Sequence, residues 1–329
     1  MKKFRLFGLI AFVLGIAVAS ALHAQPPVDN NYPSRPVRFI VPIGPGSSGD
    51  TLTRHLANKF GSITNQSTFV ENRAGADLVL GTQNLVNSPA DGYSIVLVSA
   101  SSMIINPLLR EDLPYKVEDL MPVLGLTRHV AVLVVSPTSR FKTLGDAIEA
   151  ARKTPDTVSV GTYGNTYRLG MIDLGRRTGV RFNQIPYKGA AQVLNDVLGG
   201  SVDIAVLDIA GAASLVSTGK LRALAVAGEK RHAWMPTVPT VQESGYPGYT
   251  LYAFVGYAIH AKTPRPIANR IEALMQQIIA DPALREQIVQ QSGGEIIGMD
   301  KKQFASMIAA ETEKVRDLMK FAGPDLLQH

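Results

Sequence analysis

Apolar positions along the chain form two alternating patterns, short continuous runs and stripes spaced three or four residues apart. Residues 37–43 are largely apolar and rich in β-branched side chains, as in a buried strand, and Leu52, Leu56 and Phe60 follow at helical spacing. This alternation of strands with helices predicts an α/β fold with mostly parallel sheets flanked by helices. The further predicted strands are residues 67–70, 93–98, 130–135, 158–160, 201–207, 221–226 and 249–259.

The helices predicted between these strands carry recognisable start and stop residues. The first should begin after Asp50 and end near Gly61, and Thr143 with Asp146 forms a capping box that should start another. The last part of the chain is strongly helical in pattern, with apolar stripes over residues 267–278, 284–289 and 304–318.

A glycine-rich turn joins the first predicted strand to the first helix, with the sequence Gly44-Pro45-Gly46-Ser47-Ser48-Gly49-Asp50. Such a turn leaves backbone N–H groups unpaired, and the helix dipole adds partial positive charge beside them. The turn therefore predicts a site for an anion, either a phosphate or a carboxylate. A second glycine turn over residues 161–166 follows the strand at 158–160 and repeats this arrangement.

A nucleotide is the first alternative for that anion. Gly44, Gly46 and Gly49 fit the dinucleotide-binding fingerprint, and Glu71 follows at about the distance of a ribose ligand. However, Asp50 occupies the position of the phosphate-binding lysine in a P-loop, and its carboxylate would repel a polyphosphate. The sequence therefore favours a carboxylate, and it predicts no cofactor and no metal site.

The N-terminus predicts export. Three cations among the first five residues precede an apolar run over residues 6–21, and small residues suit cleavage after Ala21 or Ala24. An uncleaved membrane anchor is the alternative, although the run is short and no stop-transfer pattern follows it. The chain has no cysteine, which excludes a lipoprotein and any disulfide. We expect a signal peptide of residues 1–24 and a soluble periplasmic protein.

Composition limits the remaining functions. Of the 329 residues, about 300 remain after the signal peptide, which is enough for two domains with separate cores. The net charge of +6 falls to +3 when the three signal-peptide cations are removed. Because this surplus is small and scattered, the sequence predicts no nucleic-acid surface.

Catalytic motifs are missing from the sequence. No histidines stand at metal-ligand spacing, and the segment around Ser47 and Ser48 misses the Gly-x-Ser-x-Gly nucleophile elbow by one position. A pair of Ser47 or Ser48 with His55 is conceivable, although a helical residue so near the turn is usually solvated or packed. The pattern favours binding over catalysis. The alternatives are an exported hydrolase of a carboxylated ester, with Ser47 or Ser48 as nucleophile, and a sensor that presents its ligand-bound form to a signalling partner.

Longer motifs run through the whole mature chain in a fixed order. The opening Tyr32-Pro33-Ser34-Arg35-Pro36-Val37-Arg38-Phe39-Ile40-Val41-Pro42, followed by the glycine turn and Asp50, resembles that of the Bug (TctC-like) family. These are the extracytoplasmic solute-binding proteins of tripartite tricarboxylate transporters. Further matches are Val70-Glu71-Asn72-Arg73, Asp91-Gly92-Tyr93, Ile105-Asn106-Pro107, Leu113-Pro114-Tyr115, Pro186-Tyr187-Lys188-Gly189, Leu198-Gly199-Gly200, Gly219-Lys220-Leu221-Arg222-Ala223-Leu224-Ala225-Val226 and Pro236-Thr237-Val238-Pro239-Thr240-Val241-Gln242-Glu243.

The resemblance implies a monomeric two-domain periplasmic binding protein of the Venus-flytrap, type II-like kind. Domain one would comprise residues 32–128 plus 249–329, and domain two residues 129–248. The domains would close on a small carboxylate and deliver it to the membrane subunits of the transporter. By position, the implied ligand contacts are Ile43, Gly44, Pro45, Gly46, Ser47, Ser48, Ser99, Ala100, Ser101 and Ser102 in domain one, and Gly164, Asn165, Thr166, Tyr167, Arg168, Tyr187, Gly189, Ala190 and Asp208 in domain two.

Departures from the family pattern leave the ligand open among dicarboxylates, tricarboxylates, aromatic acids and amino acids. Ile43-Gly44-Pro45-Gly46 replaces the family's aromatic residue and Pro-Pro-Gly-Gly, and the loop at Gly164-Asn165 is two residues shorter than usual. Arg168, in the first turn of a helix, is predicted to pair with a ligand carboxylate, or else to be a solvated residue covering Tyr167. Asp208 is predicted either to accept a hydrogen bond from the ligand or to cap a helix.

Overall fold

The fold is organised around one mixed sheet, and the longest strand of this sheet pairs with different neighbours along its two halves. The computed structural model describes residues 32–187 and 189–322, so the predicted signal peptide and Lys188 lie outside the described residues. The described residues after Tyr32 form one compact unit. The strands are β1 (Val37–Val41), β2 (Thr68–Asn72), β3 (Ser94–Val98), β4 (Leu120–Val135), β5 (Ser159–Tyr163), β6 (Asn183–Tyr187), β7 (Ile204–Asp208), β8 (Arg222–Val226), β9 (Tyr252–His260) and β10 (Glu295–Met299).

Strand β4 divides this sheet into two lobes. Its first part pairs with β9 and β10, and β1–β3 extend the sheet from β9 in the order β2-β1-β3-β9. Its last part pairs with β7 and β8, and β5 and β6 extend the sheet from β7. We call β1–β3, β9 and β10 with the first part of β4 the first lobe, and β5–β8 with the rest of β4 the second lobe.

The prediction of an α/β fold is confirmed, and that of mostly parallel sheets is wrong for the centre. The outer strands β1, β2 and β3, and likewise β5, β6 and β7, pair in parallel. The chain leaves the first lobe along β4 and returns along β9, so these two neighbours run antiparallel. Strands β8 and β10 also join β4 antiparallel.

The helices cover both faces of the sheet. Along β4, Ala131 and Leu133 face one core while Val132 and Val134 face the other, which explains the continuous apolar run there. No helix among the described residues has the length and apolarity that a membrane span requires. The helices are α1 (Ser48–Thr64), α2 (Val79–Val86), α3 (Asn106–Leu109), α4 (Leu144–Lys153), α5 (Asn165–Thr178), α6 (Ala190–Gly199), α7 (Ile209–Ser217), α8 (Arg265–Ile279), α9 (Pro282–Ser292) and α10 (Lys301–Ala322), with a π-helix at Ser101–Ile105 and a 3-10 turn at Val117–Asp119.

The best predictions concern helices whose first residue is fixed by side chains nearby in the sequence. The capping box at α4 is confirmed, because the Asp146 N–H donates to Thr143 Oγ1 at 3.1 Å and the Thr143 N–H donates to Asp146 Oδ2 at 2.9 Å. Strand β4 begins ten residues before the predicted residue 130, and α1 continues past Gly61 to Thr64. Elements α2, β6 and β10 had no prediction, and each is short, with at most eight residues.

Candidate functional site

The strand register brings the predicted loops of the two lobes toward each other. Val98, the last residue of β3, pairs with Gly256, which in turn pairs with Gly125 of β4. Asp208, the last residue of β7, pairs with Ala131 of β4 and approaches from the opposite direction. The two sets of carboxyl ends are therefore separated by six residues of β4, about 20 Å along a strand. The middle of β4 lies between these two sets of strand ends.

The first glycine turn is held by its own side chains. The Gly46 N–H donates to Asp50 Oδ2 at 2.9 Å, the Ser47 hydroxyl donates to the Gly44 carbonyl at 2.8 Å, and the Asp50 N–H donates to Ser47 Oγ at 3.3 Å. Gly46 has a φ of 76°, in the left-handed region that favours glycine. The N–H groups of Ser48 and Gly49 make no hydrogen bond to the described residues. Two helix-start donors therefore stay available for an anion.

Asp50 itself belongs to a buried charge network. Arg54 Nη2 lies 3.0 Å from its Oδ1, and Asn72 Nδ2 donates to the same oxygen at 3.0 Å and to the Ile43 carbonyl. Burial acts to raise the pKa of Asp50, but the hydrogen bonds from Arg54, Gly46 and Asn72 outweigh it and lower the pKa. Asp50 thus ties the turn to β2 and remains ionised.

The structure separates the residues of the two alternative functions. The His55 ring is 3.0 Å from Gln291 Oε1 on α9, and the Ser47 hydroxyl is engaged within the turn, so the two form no nucleophile pair. Glu71, the candidate ribose ligand, lies 2.9 Å from Arg38 and 2.5 Å from Arg73. These contacts make Glu71 part of an ion-pair cluster at the strand end.

The second loop of the first lobe is compact and buried. The Ser99 N–H donates to Ser102 Oγ at 3.1 Å, the Ser102 hydroxyl lies 3.2 Å from the Ser99 carbonyl, and the Tyr115 hydroxyl donates to the Ser102 carbonyl at 2.8 Å. Ala100 precedes the π-helix and packs in the first-lobe core. Ser102 therefore shapes this loop, and the ligand contacts predicted at residues 99–102 stay a prediction.

In the second lobe, Asp208 joins two of the predicted segments. Its Oδ2 accepts a hydrogen bond from the Tyr163 hydroxyl at 2.9 Å, and its Oδ1 accepts one from the Gly211 N–H at 2.7 Å, so it caps α7. The ring of Tyr163 lies 4.9 Å from that of Tyr167, and burial raises the pKa of Tyr163. The capping alternative for Asp208 is confirmed. Tyr163, which sequence reasoning missed, follows no recognisable motif.

Helix α5 carries the second glycine turn into the space between the lobes. It begins at Asn165 after Gly164, which has a φ of 74° and offers no capping side chain. Leu169 and Ile172 of this helix pack in the first-lobe core, whereas Tyr167 packs in the second. Thr166 is half-buried at the same helix start. The segment 164–168 therefore lies at the junction of both lobes.

Arg168 is buried in this junction. Only 7% of the residue is exposed, and burial lowers its pKa. This burial contradicts the alternative of a solvated arginine covering Tyr167. A guanidinium at a helix N-terminus is opposed by the helix dipole, and a carboxylate bound between the two would remove that opposition.

The third second-lobe segment starts another helix. Tyr187 ends β6 and its hydroxyl donates to Asp196 Oδ2 at 2.5 Å, so burial and the Asp196 carboxylate raise the pKa of Tyr187 to about 12. Gly189 caps α6, which begins at Ala190. The Tyr187 side chain is thus held by Asp196 of α6, the helix that follows it in the chain. This helix begins beside Tyr187, at Gly189 and Ala190.

A cavity of about 680 Å³ has none of the predicted ligand contacts in its lining. Arg128, Val130 and Tyr252 line it, whereas Ala131 and its partner Asp208 lie on the other face of β4. Arg128 Nη2 is 2.8 Å from Glu295 and its guanidinium lies 4.4 Å from the centre of the Tyr252 ring. Trp234, the single tryptophan of the chain, forms part of the wall. Sequence reasoning did not predict this cavity, because its residues come from four separate stretches of the chain without a motif.

Comparison with known proteins identifies the family. The family model described as the tripartite tricarboxylate transporter family receptor, TctC, matches residues 52–323. BugT of Bordetella pertussis is 31% identical over 318 residues, which cover 95% of this chain and 97% of BugT. The solved structure of R. palustris Rpa4515 with adipate has a TM-score of 0.79 at 25% identity and covers 89% of this chain and 98% of its own. The structure of the periplasmic binding protein BugD has a TM-score of 0.75 at 27% identity, with 89% and 99% covered. The chain therefore belongs to the TctC, or Bug, family of periplasmic solute-binding receptors of tripartite tricarboxylate transporters.

Proposed function

We propose that the protein captures a small carboxylate between its two lobes and delivers it to the membrane subunits of a tripartite tricarboxylate transporter. The observation that carries the proposal is the register of β4, which sets the carboxyl ends of both parallel strand groups against each other. In open α/β sheets, ligands bind outside the carboxyl ends of the strands. Here two such edges face one another.

The chemistry of the facing loops suits a carboxylate. The first lobe offers the Ser48 and Gly49 N–H groups at a helix start, and the second offers the uncapped start of α5 with the buried Arg168. Backbone donors at helix starts and a guanidinium fork both bind carboxylate oxygens well. The relative Rpa4515, solved with adipate, carries a ligand of this class.

The proposal includes a hinge motion and a location. Strands β4 and β9 are the paired connections between the lobes, so bending near residues 128–130 would open and close the site. The domains would be residues 32–128 plus 249–329 and residues 129–248. The protein would act as a periplasmic monomer, cleaved after Ala21 or Ala24, and would carry no cofactor and no enzymatic activity.

A thermal-shift screen of carboxylic acids tests the proposal. The panel is succinate, malate, adipate, citrate, benzoate, aspartate and glutamate, each at millimolar concentration. A ligand at a hundredfold excess over its dissociation constant stabilises the folded protein by about 2.7 kcal/mol, which a shift in melting temperature reports. If no acid in the panel raises the melting temperature or gives a saturable heat in calorimetry, the proposal is wrong. Turnover of activated esters would instead support the hydrolase.

A further inference from the structure

The loop between β2 and α2 has an uncommon backbone. Ala76, Asp77 and Leu78 are three consecutive non-glycine residues in the left-handed region, with φ values of 49°, 52° and 72°. This conformation costs about 1–2 kcal/mol per residue and normally occurs at single positions. Asn106 Nδ2 donates to the Asp77 carbonyl at 2.7 Å and so holds the loop. Strain of this kind that is held in place by surrounding contacts is a reason to look for a function.

The loop crosses the carboxyl ends of the first-lobe strands. Strand β2 is at the edge of the sheet, with β1 between it and β3. The loop nevertheless reaches Asn106, which follows β3. The helix α2 that it leads into packs at Gly81 so closely on the residue after β1 that an added Cβ would lie 2.5 Å from Pro42 Cβ. The loop therefore passes over the end of β1, and Asp77 lies beside the predicted ligand contacts.

The Asp77 carboxyl differs from the other acids around the site. Burial raises the pKa of Asp77, while the neighbouring Ser101 side chain and the Arg110 charge act to lower it, and the residue stays exposed to solvent. Asp50 and Glu71 each have an arginine within 3.0 Å, whereas Asp77 has no ion pair within 4.0 Å among the described residues. The nearby Arg110 lies 3.4 Å from Asp112 instead.

We propose that Asp77 is a specificity-determining residue that accepts a hydrogen bond from a hydroxyl or ammonium group of the ligand. A carboxylate acceptor without its own cation favours a ligand that supplies a donor, and it repels a second carboxylate placed beside it. The preferred ligands are therefore 2-hydroxy and 2-amino acids rather than acids that lack a donor group. This inference rests on the proposed function, because it assigns the ligand class of the same site.

Calorimetry with matched acids tests the role of Asp77. One set is butyrate, 2-hydroxybutyrate and 2-aminobutyrate, and the other is succinate, malate and aspartate, so that within a set mainly the donor changes. We expect a donor-bearing member to bind at least tenfold more tightly than the donor-free one. In Asp77→Asn that preference should fall by about ten- to a hundredfold, the effect of losing a hydrogen bond to a charged group. The affinity for the donor-free acid should stay the same or rise.

Two variants separate this role from folding and from net charge. Asp77→Gly also removes the carboxylate but suits the left-handed backbone, so it should fold at least as stably and lose the same preference. Asp317→Asn makes the same charge change at an exposed residue of α10, where the partner is Lys320, and should leave both sets unchanged. If acids bind but Asp77→Asn keeps the wild-type ratio, or the donor-free acids bind best, the inference is wrong while the proposed function stands. If no acid binds at all, both are wrong.

Discussion

The two glycine turns of the site start from the same sequence pattern and end in different chemistry. In the first, Asp50 accepts from the Gly46 N–H and Ser47 caps α1, so the turn supplies its own anion and its own cap. In the second, Gly164 provides no capping side chain and Arg168 lies buried one turn further on. The first turn is therefore arranged around its own carboxylate, whereas the second brings a buried cation to the start of a helix. We expect the charge of the ligand to be recognised mainly by the second lobe.

The largest expected effect is the loss of Arg168. Arg168→Ala should weaken binding of the acid found in the screen by about 2–5 kcal/mol, the range for removing one partner of a buried charge pair. Arg168→Lys should recover part of the loss, because an ammonium cannot reproduce the two-pronged geometry of the guanidinium. Titration calorimetry measures both variants. Arg176→Ala, in the last turn of the same helix and paired with Asp173, is the matched control. An affinity of Arg168→Ala within threefold of wild type would contradict the assignment.

The next effect concerns Asp50 and should appear in stability. Because its pKa is lowered in the folded protein, its contribution is complete above the unfolded pKa and is lost as the pH falls through the folded pKa. Stability should therefore fall below about pH 4, and Asp50→Asn should flatten this decline while costing about 1–3 kcal/mol near neutral pH. Urea unfolding between pH 3 and 7 measures both quantities. A decline of wild-type steepness in Asp50→Asn, with Asp317→Asn as the exposed control, would exclude this role.

The smallest effect isolates the backbone of the first turn. Gly46 has a positive φ and Gly44 does not, yet an added Cβ at either position meets nothing within 4 Å. Gly46→Ala should cost about 1 kcal/mol of unfolding free energy, whereas Gly44→Ala should be close to neutral. Gly46→Val should lose ligand affinity as well, because its side chain stands beside the donors of the turn. Equal stability of the two alanine variants in chemical denaturation would show that the left-handed conformation of Gly46 does not matter.

The glycine turns of the candidate site could be predicted from the sequence because their causes are local. Glycine turns, capping residues and the alternation of apolar runs depend on neighbours a few residues away, and they predicted the strand-to-helix turns at residues 44–50 and 161–166. The ligand contacts proposed at residues 43–48 and 164–168, and at Tyr187, Gly189 and Asp208, came by position from the resemblance to the Bug family. No sequence motif identified Asp77, because aspartate is common in loops and the amino-acid sequence does not reveal its left-handed backbone conformation.

The α/β alternation, the family and the donor-rich loops could be predicted from the chain alone, since each follows from short-range chemistry or from ordered motifs. The antiparallel pairing of β4 with β9 arises only in the folded protein, and so does the approach of Val98 and Asp208 to the same stretch of β4 from opposite directions. The fold also determines which carboxylates are paired with a cation. Asp50 pairs with Arg54, whereas Asp77 lies beside Ser101. Such pairings join residues far apart in the chain, and their energies depend on register and burial, which no local pattern encodes.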